Sequence, residues 1–182
     1  MDEIKPASDF FKAKGFKVSF GKHLFKKNHQ FAGTDEERIR DIQEAMDDPK
    51  VKAIWLARGG YGTHRVIENL SIDEFRKNPK WIVGYSDVTV LHSFILSQCD
   101  SASIHGTMPV NFTNQTRESF EKLISMLQGN VFDYKIKPHS FNRNGIAKGI
   151  LTGGNLSIIY SLTGTKFLPD FKNKILFIED ID

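Results

Sequence analysis

The sequence has a single cysteine, Cys99, in 182 residues, and it has no long uncharged apolar run. One cysteine excludes a disulfide framework or a thiolate metal site within one chain, and a free thiol usually behaves as a small apolar side chain. No run approaches the roughly 20 apolar residues of a membrane helix. The start, MDEIKPASDFF, lacks the basic and apolar regions of a signal peptide. These absences predict a cytoplasmic protein without a membrane partner.

The chain also lacks a strong charge of either sign. Its 25 basic and 22 acidic residues leave a net charge of +3, and the two signs are interspersed. No basic stripe alternates with aromatic residues, so no nucleic-acid partner is predicted. No pair or triplet of histidine, aspartate and glutamate has the spacing of metal ligands. We therefore predict neither a metal nor another cofactor.

The first 130 residues alternate helical and strand patterns. Helices are predicted at residues 4–14 and in TDEERIRDIQEAMDD, where Thr34 and Glu37 form a capping box. Strands are predicted at residues 16–20 and in VKAIWLA, WIVG and SASIH, with a helix in DVTVLHSFILSQ. Short connections between such elements are typical of a doubly wound α/β fold with a mostly parallel sheet. We assign residues 1–130 to this domain.

The pattern changes after the helix in NQTRESFEKLISMLQG. Strand-like pieces follow in VFDYKIK, GIAKGIL and KILFIED, with a helix at residues 156–162 that Asn155 precedes. Residues 131–182 are predicted to begin a smaller β-rich domain. The chain opens with a helix where such domains usually open with a strand, and it stops in an apolar strand. We therefore expect that both ends are truncated and that the last strand exposes an apolar edge, which predicts poor solubility.

The motif GYSD, at the junction of a strand and a helix, allows two hypotheses for Ser86. Serine is a common helix N-cap. A G-x-S turn at such a junction also matches a nucleophile elbow, in which the next amide, that of Asp87, helps to bind an oxyanion. Asp87 also suits the first turn of a helix, where a carboxylate is favoured by the helix dipole. The spacing alone leaves the two hypotheses for Ser86 equal.

Two further motifs fall at predicted strand ends, where open parallel sheets bind ligands. In ARGGYG, Gly59 and Gly60 permit a tight turn, or they let backbone amides approach a ligand oxygen. The spacing is neither a dinucleotide fingerprint nor a P-loop. In IHGTMP, His105 is a candidate for contact with a substrate. His92 lies six residues after Ser86, inside a helix, and is not placed to act as its base.

Five segments, in this order and at these separations, resemble the LD-carboxypeptidase family of serine peptidases, which also includes microcin C immunity hydrolases. The segments are VKAIWLARGGYGTHRVI, IVGYSDVTVLH, SIHGTMP, GGNLSIIYSLTGT and KILFIEDI. The resemblance runs from about Gly15 to Asp182. It implies that Ser86 is the nucleophile, and that Glu179 orients a histidine base beyond the last residue. It also implies an oxyanion hole at Asp87, Gly60 and Gly59.

The family's substrate is a murein tetrapeptide, which is cut before its terminal D-alanine during cell-wall recycling. Groups suited to hold this peptide are Arg58, Tyr61, His105, Lys166 and the segment Gly153, Gly154 and Asn155. Arg58 equally suits a structural ion pair, and Asn155 suits a helix N-cap. In the alternative role, hydrolysis of a microcin-type nucleotide, Tyr61 is a candidate shelf for adenine. A non-catalytic peptide-binding module is the other alternative.

Because the resemblance places the histidine outside the chain, we expect no peptidase turnover from residues 1–182 alone. Members of the family often pair, so a homodimer is a possible assembly.

Overall fold

A computed structural model describes residues 2–181 of the chain. Besides its helices and strands, the described chain contains tight 3₁₀ turns at Ser86–Val88 and Pro109–Asn114. The elements in chain order are α1 Lys5–Ala13, α2 Asp35–Asp47, β1 Ala53–Trp55, α3 His64–Ile67, α4 Asp73–Lys77, β2 Trp81–Gly84, α5 Thr89–Cys99, β3 Ile104–His105, α6 Arg117–Leu127, β4 Ile150–Asn155, α7 Leu156–Ser161 and β5 Lys174–Glu179. Across residues 2–181, no helix has the length and apolar character needed to cross a bilayer.

The first three strands form one parallel sheet in the order β1-β2-β3. Ile54 lies opposite Ile82, and Val83 lies opposite Ile104. Because successive side chains of a strand point to opposite faces, neighbouring residues of β2 enter two different cores. Ile82 packs with α2 to α5, and Val83 packs with α1 and α6. Helices thus cover both faces of the sheet, and the predicted parallel α/β architecture is confirmed.

The strand predicted at residues 16–20 is wrong, because these residues are irregular. Their alternating pattern has a different cause. Phe16 and Val18 pack against the core of α1 and α6, and the Phe16 ring lies 5.4 Å from that of Phe11. Alternation reports which side chains are buried, and it does not report whether the backbone has a partner strand.

The last quarter of the chain contains a second, two-stranded sheet, in which β4 and β5 are parallel and in register from Ile150–Lys174 to Asn155–Glu179. The predicted strand in KILFIED is confirmed. The strand predicted in VFDYKIK is wrong, and only Ile150 and Leu151 of GIAKGIL lie in a strand. Residues 131–149 contain exposed apolar side chains such as Ile136 and Ile146. Strand-like composition without a partner or a core therefore produced no strand here.

Side-chain caps begin three of the predicted helices, α2 at Thr34, α6 at Thr116 and α7 at Asn155. Thr34 Oγ1 accepts a hydrogen bond from Glu37 N at 3.2 Å, and Glu37 Oε2 accepts one from Thr34 N at 3.0 Å. This is the predicted capping box. Asn155 Oδ1 accepts a hydrogen bond from Ile158 N at 3.1 Å, which confirms the predicted N-cap of α7.

Candidate active site

Ser86 occupies the sharp turn between β2 and α5. Its φ is 60°, in the left-handed region, which costs a non-glycine residue on the order of 1–3 kcal/mol. Neither the turn at Ser86–Val88 nor α5 has a side-chain cap hydrogen bond. The hydroxyl therefore does not serve as a helix cap. A strained serine on a half-exposed turn between a strand and a helix is the geometry of a nucleophile elbow.

The glycine loop, residues 58–62, contacts this serine directly. A Cβ at Gly59 would lie 3.2 Å from Ser86 Cβ and 3.4 Å from its Oγ. Gly60 has φ +138° and no atom within 4 Å of an added Cβ, so its backbone conformation is one that glycine tolerates best. The structure thus brings the loop and the serine together, with Gly59 small enough for close approach.

The side chain of Asp87 is buried and is directed toward Thr63, at the end of the glycine loop. Its Oδ2 accepts hydrogen bonds from Thr63 N at 3.1 Å and from Thr63 Oγ1 at 2.6 Å. Its Oδ1 is buried without a partner among residues 2–181. The sequence offers no sign of this contact, because the two residues are 24 positions apart and neither type is unusual where it stands.

Two histidines lie beneath the serine turn, with ring centres 6.0 Å apart. His92 Nε2 lies 2.9 Å from Gly84 O, so the ring donates this bond and is held within the sheet–helix junction. Burial lowers the pKa of His92 to about 4. His105, at the end of β3, packs edge-on against Phe177 with ring centres 5.0 Å apart. Desolvation lowers the pKa of His105, and the carboxylate of Glu179 opposes this effect.

Glu179 is the last residue of β5 and lies opposite Asn155, the last residue of β4. Its Oε1 is buried and has no hydrogen-bond partner in the described part of the chain. A buried carboxylate oxygen without a donor is costly. Glu179 lies at the carboxyl end of the second sheet. It is close enough to His105 to affect the pKa of that histidine, and it therefore lies on the same side of the molecule as the serine turn.

The segment Gly153–Asn155 is bound tightly to its neighbours. A Cβ at Gly153 would lie 1.8 Å from Phe177 O, and one at Gly154 would lie 2.5 Å from Thr89 Oγ1. Asn155 N donates to Thr89 Oγ1 at 3.0 Å, and Asn155 Nδ2 donates to Asp180 Oδ1 at 3.1 Å. The side chain of Asn155 is therefore engaged within the chain at both its oxygen and its nitrogen. The sequence reasoning missed two of these partners. Thr89 anchors the second sheet to the start of α5, and Asp180 accepts hydrogen bonds at the junction of β4 and α7.

The remaining predicted contact residues extend into solvent. Arg58 is exposed and forms no ion pair with any residue from 2 to 181, so the structural ion pair considered for it is not found there. Tyr61 is 69% exposed. Lys166 is exposed, with Nζ 5.1 Å from the ring centre of Phe167. The structure does not bring Lys166 into contact with the serine turn.

A groove of about 430 Å³ begins beside the serine turn and runs along α6. Tyr85 and His105 form its end near Ser86, and Lys122 and Tyr134 lie at its other end. Lys122 Nζ lies 2.8 Å from Glu118 Oε1 and 5.0 Å from the ring centre of Tyr134. The lining combines polar side chains with apolar ones such as Leu123 and Met126, a combination suited to a peptide-like ligand.

Comparison with known proteins identifies a family. The profile described as "LD-carboxypeptidase N-terminal domain" matches residues 1–106, and that described as "LD-carboxypeptidase C-terminal domain" matches residues 148–182. A probable murein peptide carboxypeptidase of Bacillus subtilis is 37% identical in an alignment 181 residues long that covers 95% of this chain and 56% of that protein. The microcin C7 self-immunity protein MccF of Escherichia coli is 27% identical over 204 residues, covering 94% of this chain and 59% of that protein.

Solved structures give the same result. Muramoyltetrapeptide carboxypeptidase from Oxalobacter formigenes superposes with a TM-score of 0.82 at 29% identity, covering 98% of this chain and 61% of that chain. The microcin C7 self-immunity protein MccF in complex with aspartyl sulfamoyl adenosine superposes with a TM-score of 0.83 at 25% identity, covering 98% and 63%. The chain spans less than 60% of the length of the curated relatives described above. With the family profiles covering the serine turn and both strands of the second sheet, the chain belongs to the LD-carboxypeptidase family of serine-type carboxypeptidases.

Proposed function

We propose that the protein containing this chain is a serine hydrolase that removes the terminal D-alanine from murein tetrapeptides. The bond cut joins an L-configured centre of the diamino acid to D-alanine. The observation that carries the proposal is the left-handed Ser86, at φ 60°, on the turn against Gly59. The likeness to a probable murein peptide carboxypeptidase and to a muramoyltetrapeptide carboxypeptidase supports this substrate class. A cytoplasmic location and a homodimer remain part of the proposal.

In the proposed reaction, Ser86 Oγ attacks the scissile carbonyl carbon and loses its proton to a histidine base. The amides of Asp87 and of the glycine loop at Gly60 or Gly59 stabilise the oxyanion. The carbon–nitrogen bond breaks, and the same histidine returns the proton to the amine of D-alanine. Water then hydrolyses the acyl-enzyme and restores the serine. Glu179, with its buried Oε1 lacking a donor among residues 2–181, is suited to orient that histidine, which in this proposal is contributed by a part of the protein beyond residue 182.

The substrate is acidic at its cut end, because the leaving D-alanine carries a free carboxylate. Arg58, exposed at the start of the glycine loop and free of ion pairs within the described chain, is suited to hold that carboxylate. The groove along α6 is suited to hold the rest of the peptide, with His105 and Tyr85 near the reacting bond. The predicted substrate contact at Asn155 is limited, because its side chain and its backbone N–H are all engaged within the chain.

The test is Ser86→Ala in a protein that extends this chain to the length of its relatives. We expect release of D-alanine from tetrapeptide to fall at least about a thousandfold, because the members of a catalytic triad act as a unit. Ser97→Ala is the matched control, since this hydroxyl lies on α5, where it donates to Phe94 O and accepts from Gln98 Nε2. Release near the original rate by Ser86→Ala would refute the assignment. Robust release by residues 1–182 alone would instead make His105 the base to mutate.

The second candidate is hydrolysis of a microcin-type aminoacyl nucleotide. It is favoured by the likeness to the microcin C7 self-immunity protein bound to aspartyl sulfamoyl adenosine. Tyr61, 69% exposed beside the glycine loop, is a candidate surface for adenine stacking. The two functions share the same nucleophile, so only the substrate separates them. Competition between tetrapeptide and an aminoacyl sulfamoyl adenosine in one assay decides, and binding of both without turnover would favour the non-catalytic module.

A further inference from the structure

The side chain of Asp87 links the nucleophile turn to the glycine loop. Asp87 is 5% exposed, and its Oδ2 accepts both the N–H of Thr63, at 3.1 Å, and the hydroxyl of Thr63, at 2.6 Å. Thr63 is the first residue after the glycine loop. Carboxylates with two donors on one oxygen hold those donors more firmly than neutral acceptors do.

At the other end of the loop, Gly59 contacts Ser86, the residue before Asp87. A Cβ at Gly59 would be 3.2 Å from Ser86 Cβ, so the loop backbone passes alongside the serine. Ser86 and Asp87 therefore contact the glycine loop on both sides of Gly60. The amide of Gly60 lies in the short stretch of chain between these two contacts.

The middle of the loop has little other support, since Gly60 and Tyr61 are both exposed. Gly62 is fixed by its own contacts. Arg38 Nη1 donates to Gly62 O at 3.1 Å, and a Cβ at Gly62 would lie 2.8 Å from Phe31 Cε1. These contacts hold the loop to α2 and to Phe31, which precedes α2, and the Asp87 carboxylate holds it to the serine turn.

We propose that the carboxylate of Asp87 is a positioning residue that holds the glycine loop in register with Ser86 through Thr63. From the sequence, the backbone amide of Asp87 has a role in binding an oxyanion and its carboxylate has a favourable place at the helix dipole, and the contact with Thr63 is a further role for the side chain. The catalytic meaning of this register rests on the proposed function, because the Gly60 amide is a proposed oxyanion donor. The register itself does not depend on which substrate is cut.

Replacing the buried carboxylate of Asp87 is liable to cause misfolding. The experiment therefore changes its hydrogen-bond partner, Thr63. Thr63→Val removes the hydroxyl at nearly constant shape, and Thr63→Ser restores it. Thr165→Val is the matched control, because the Thr165 hydroxyl also makes two local hydrogen bonds, to Leu162 O and from Phe167 N, away from the loop. Hydrogen exchange of backbone amides is measured by NMR on residues 1–182, together with the melting temperature.

We expect Thr63→Val to speed exchange by about tenfold or more at the amide of residue 63, which donates to Asp87 Oδ2, and at that of Arg65, which donates to Gly62 O, since local opening governs exchange. Thr63→Ser should restore slow exchange, and Thr165→Val should leave the loop unchanged. A merely structural role would lower the melting temperature of both valine variants without singling out the loop. Equal loop exchange in Thr63→Val and Thr165→Val, or no rescue by serine, would overturn the proposal.

A second measurement uses the extended protein of the Ser86→Ala test. Thr63→Val should lower kcat for D-alanine release about tenfold with KM nearly unchanged, because the misplaced amide acts on the transition state. A raised KM at constant kcat would show that the loop only binds substrate and would overturn the positioning role. If the unaltered protein releases no D-alanine, the proposed function fails, and the exchange measurement still decides whether Asp87 holds the loop.

Discussion

At the scale of single residues, His92 and His105 differ in burial, since His105 is exposed. His92 is 7% exposed, and its ring is directed to Gly84 O. Its Nδ1 is buried with no partner among residues 2–181. The ring is therefore held neutral, and it supports the strand end on which the serine turn is built.

The low pKa of His92 predicts that the folded chain becomes less stable as the pH is lowered below about 6.5. Above its usual 6.5 the ring is neutral whether the chain is folded or unfolded, and the full stability is present. Between pH 6.5 and about 4 the unfolded chain binds the proton first, so stability is lost as pH falls. The loss is on the order of 3 kcal/mol at most.

His92→Gln keeps a donor for Gly84 O and removes the titration, so its stability should change less over this range. The measurement is denaturant unfolding between pH 4 and 7, with His139→Gln, at an exposed histidine, as the control. An unchanged pH slope in His92→Gln would contradict the assignment.

At the scale of elements, glycine is what lets the second sheet form. Gly153 and Gly154 have φ of +128° and +139°, and both lie against backbone or side chains of neighbouring elements. Their positions put Asn155 opposite Glu179 at the end of the sheet. The backbone N–H of Asn155 also attaches β4 to Thr89 at the start of α5. The pairing of β4 with β5 thus fixes where Glu179 lies relative to the serine turn.

Gly153→Ala should break this pairing, because the new Cβ would lie 1.8 Å from Phe177 O. We expect a loss of more than about 3 kcal/mol, or local unfolding of β4 and β5. Gly129→Ala is the matched control: its φ is also positive, at +89°, but no atom lies within 4 Å of the new Cβ. It should cost only about 1 kcal/mol. Urea unfolding and hydrogen exchange of the two strands measure both variants, and similar losses would show that backbone strain alone matters.

At the scale of the whole molecule, apolar side chains are concentrated on the second sheet. Leu151 is 65% exposed, and Leu176 and Ile178 are 47% and 48% exposed. Two paired strands with exposed apolar residues invite pairing with other chains. The first sheet, in contrast, is covered on both faces. Self-association of residues 1–182 is therefore expected to start at the second sheet.

Leu151→Lys should reduce this association, because a lysine on an exposed strand disfavours pairing with another chain. Ile136→Lys adds the same charge at a residue that is 82% exposed outside any strand, and it should have little effect. Light scattering against protein concentration compares the two variants. An equal reduction in both would mean that net charge, and not the sheet, controls association.

Elements whose signals are local could be predicted from the amino-acid sequence. The capping box at Thr34, the N-cap at Asn155, the alternation of strands and helices and the family motifs were all readable because each depends on residues close in the chain. Residues 16–20 and the segment VFDYKIK were misread, because a strand needs a partner that local pattern does not reveal.

Only the tertiary structure decided the contacts between distant segments. Asp87 with Thr63, Asn155 with Thr89, and Gly59 against Ser86 join residues 24 to 66 positions apart. The strain at Ser86 likewise became visible only from its φ of 60°. Such contacts form because the parallel sheets bring the carboxyl ends of their strands together at one edge. Which strands become neighbours depends on pairing between distant segments, so the contacts cannot be predicted from any one segment.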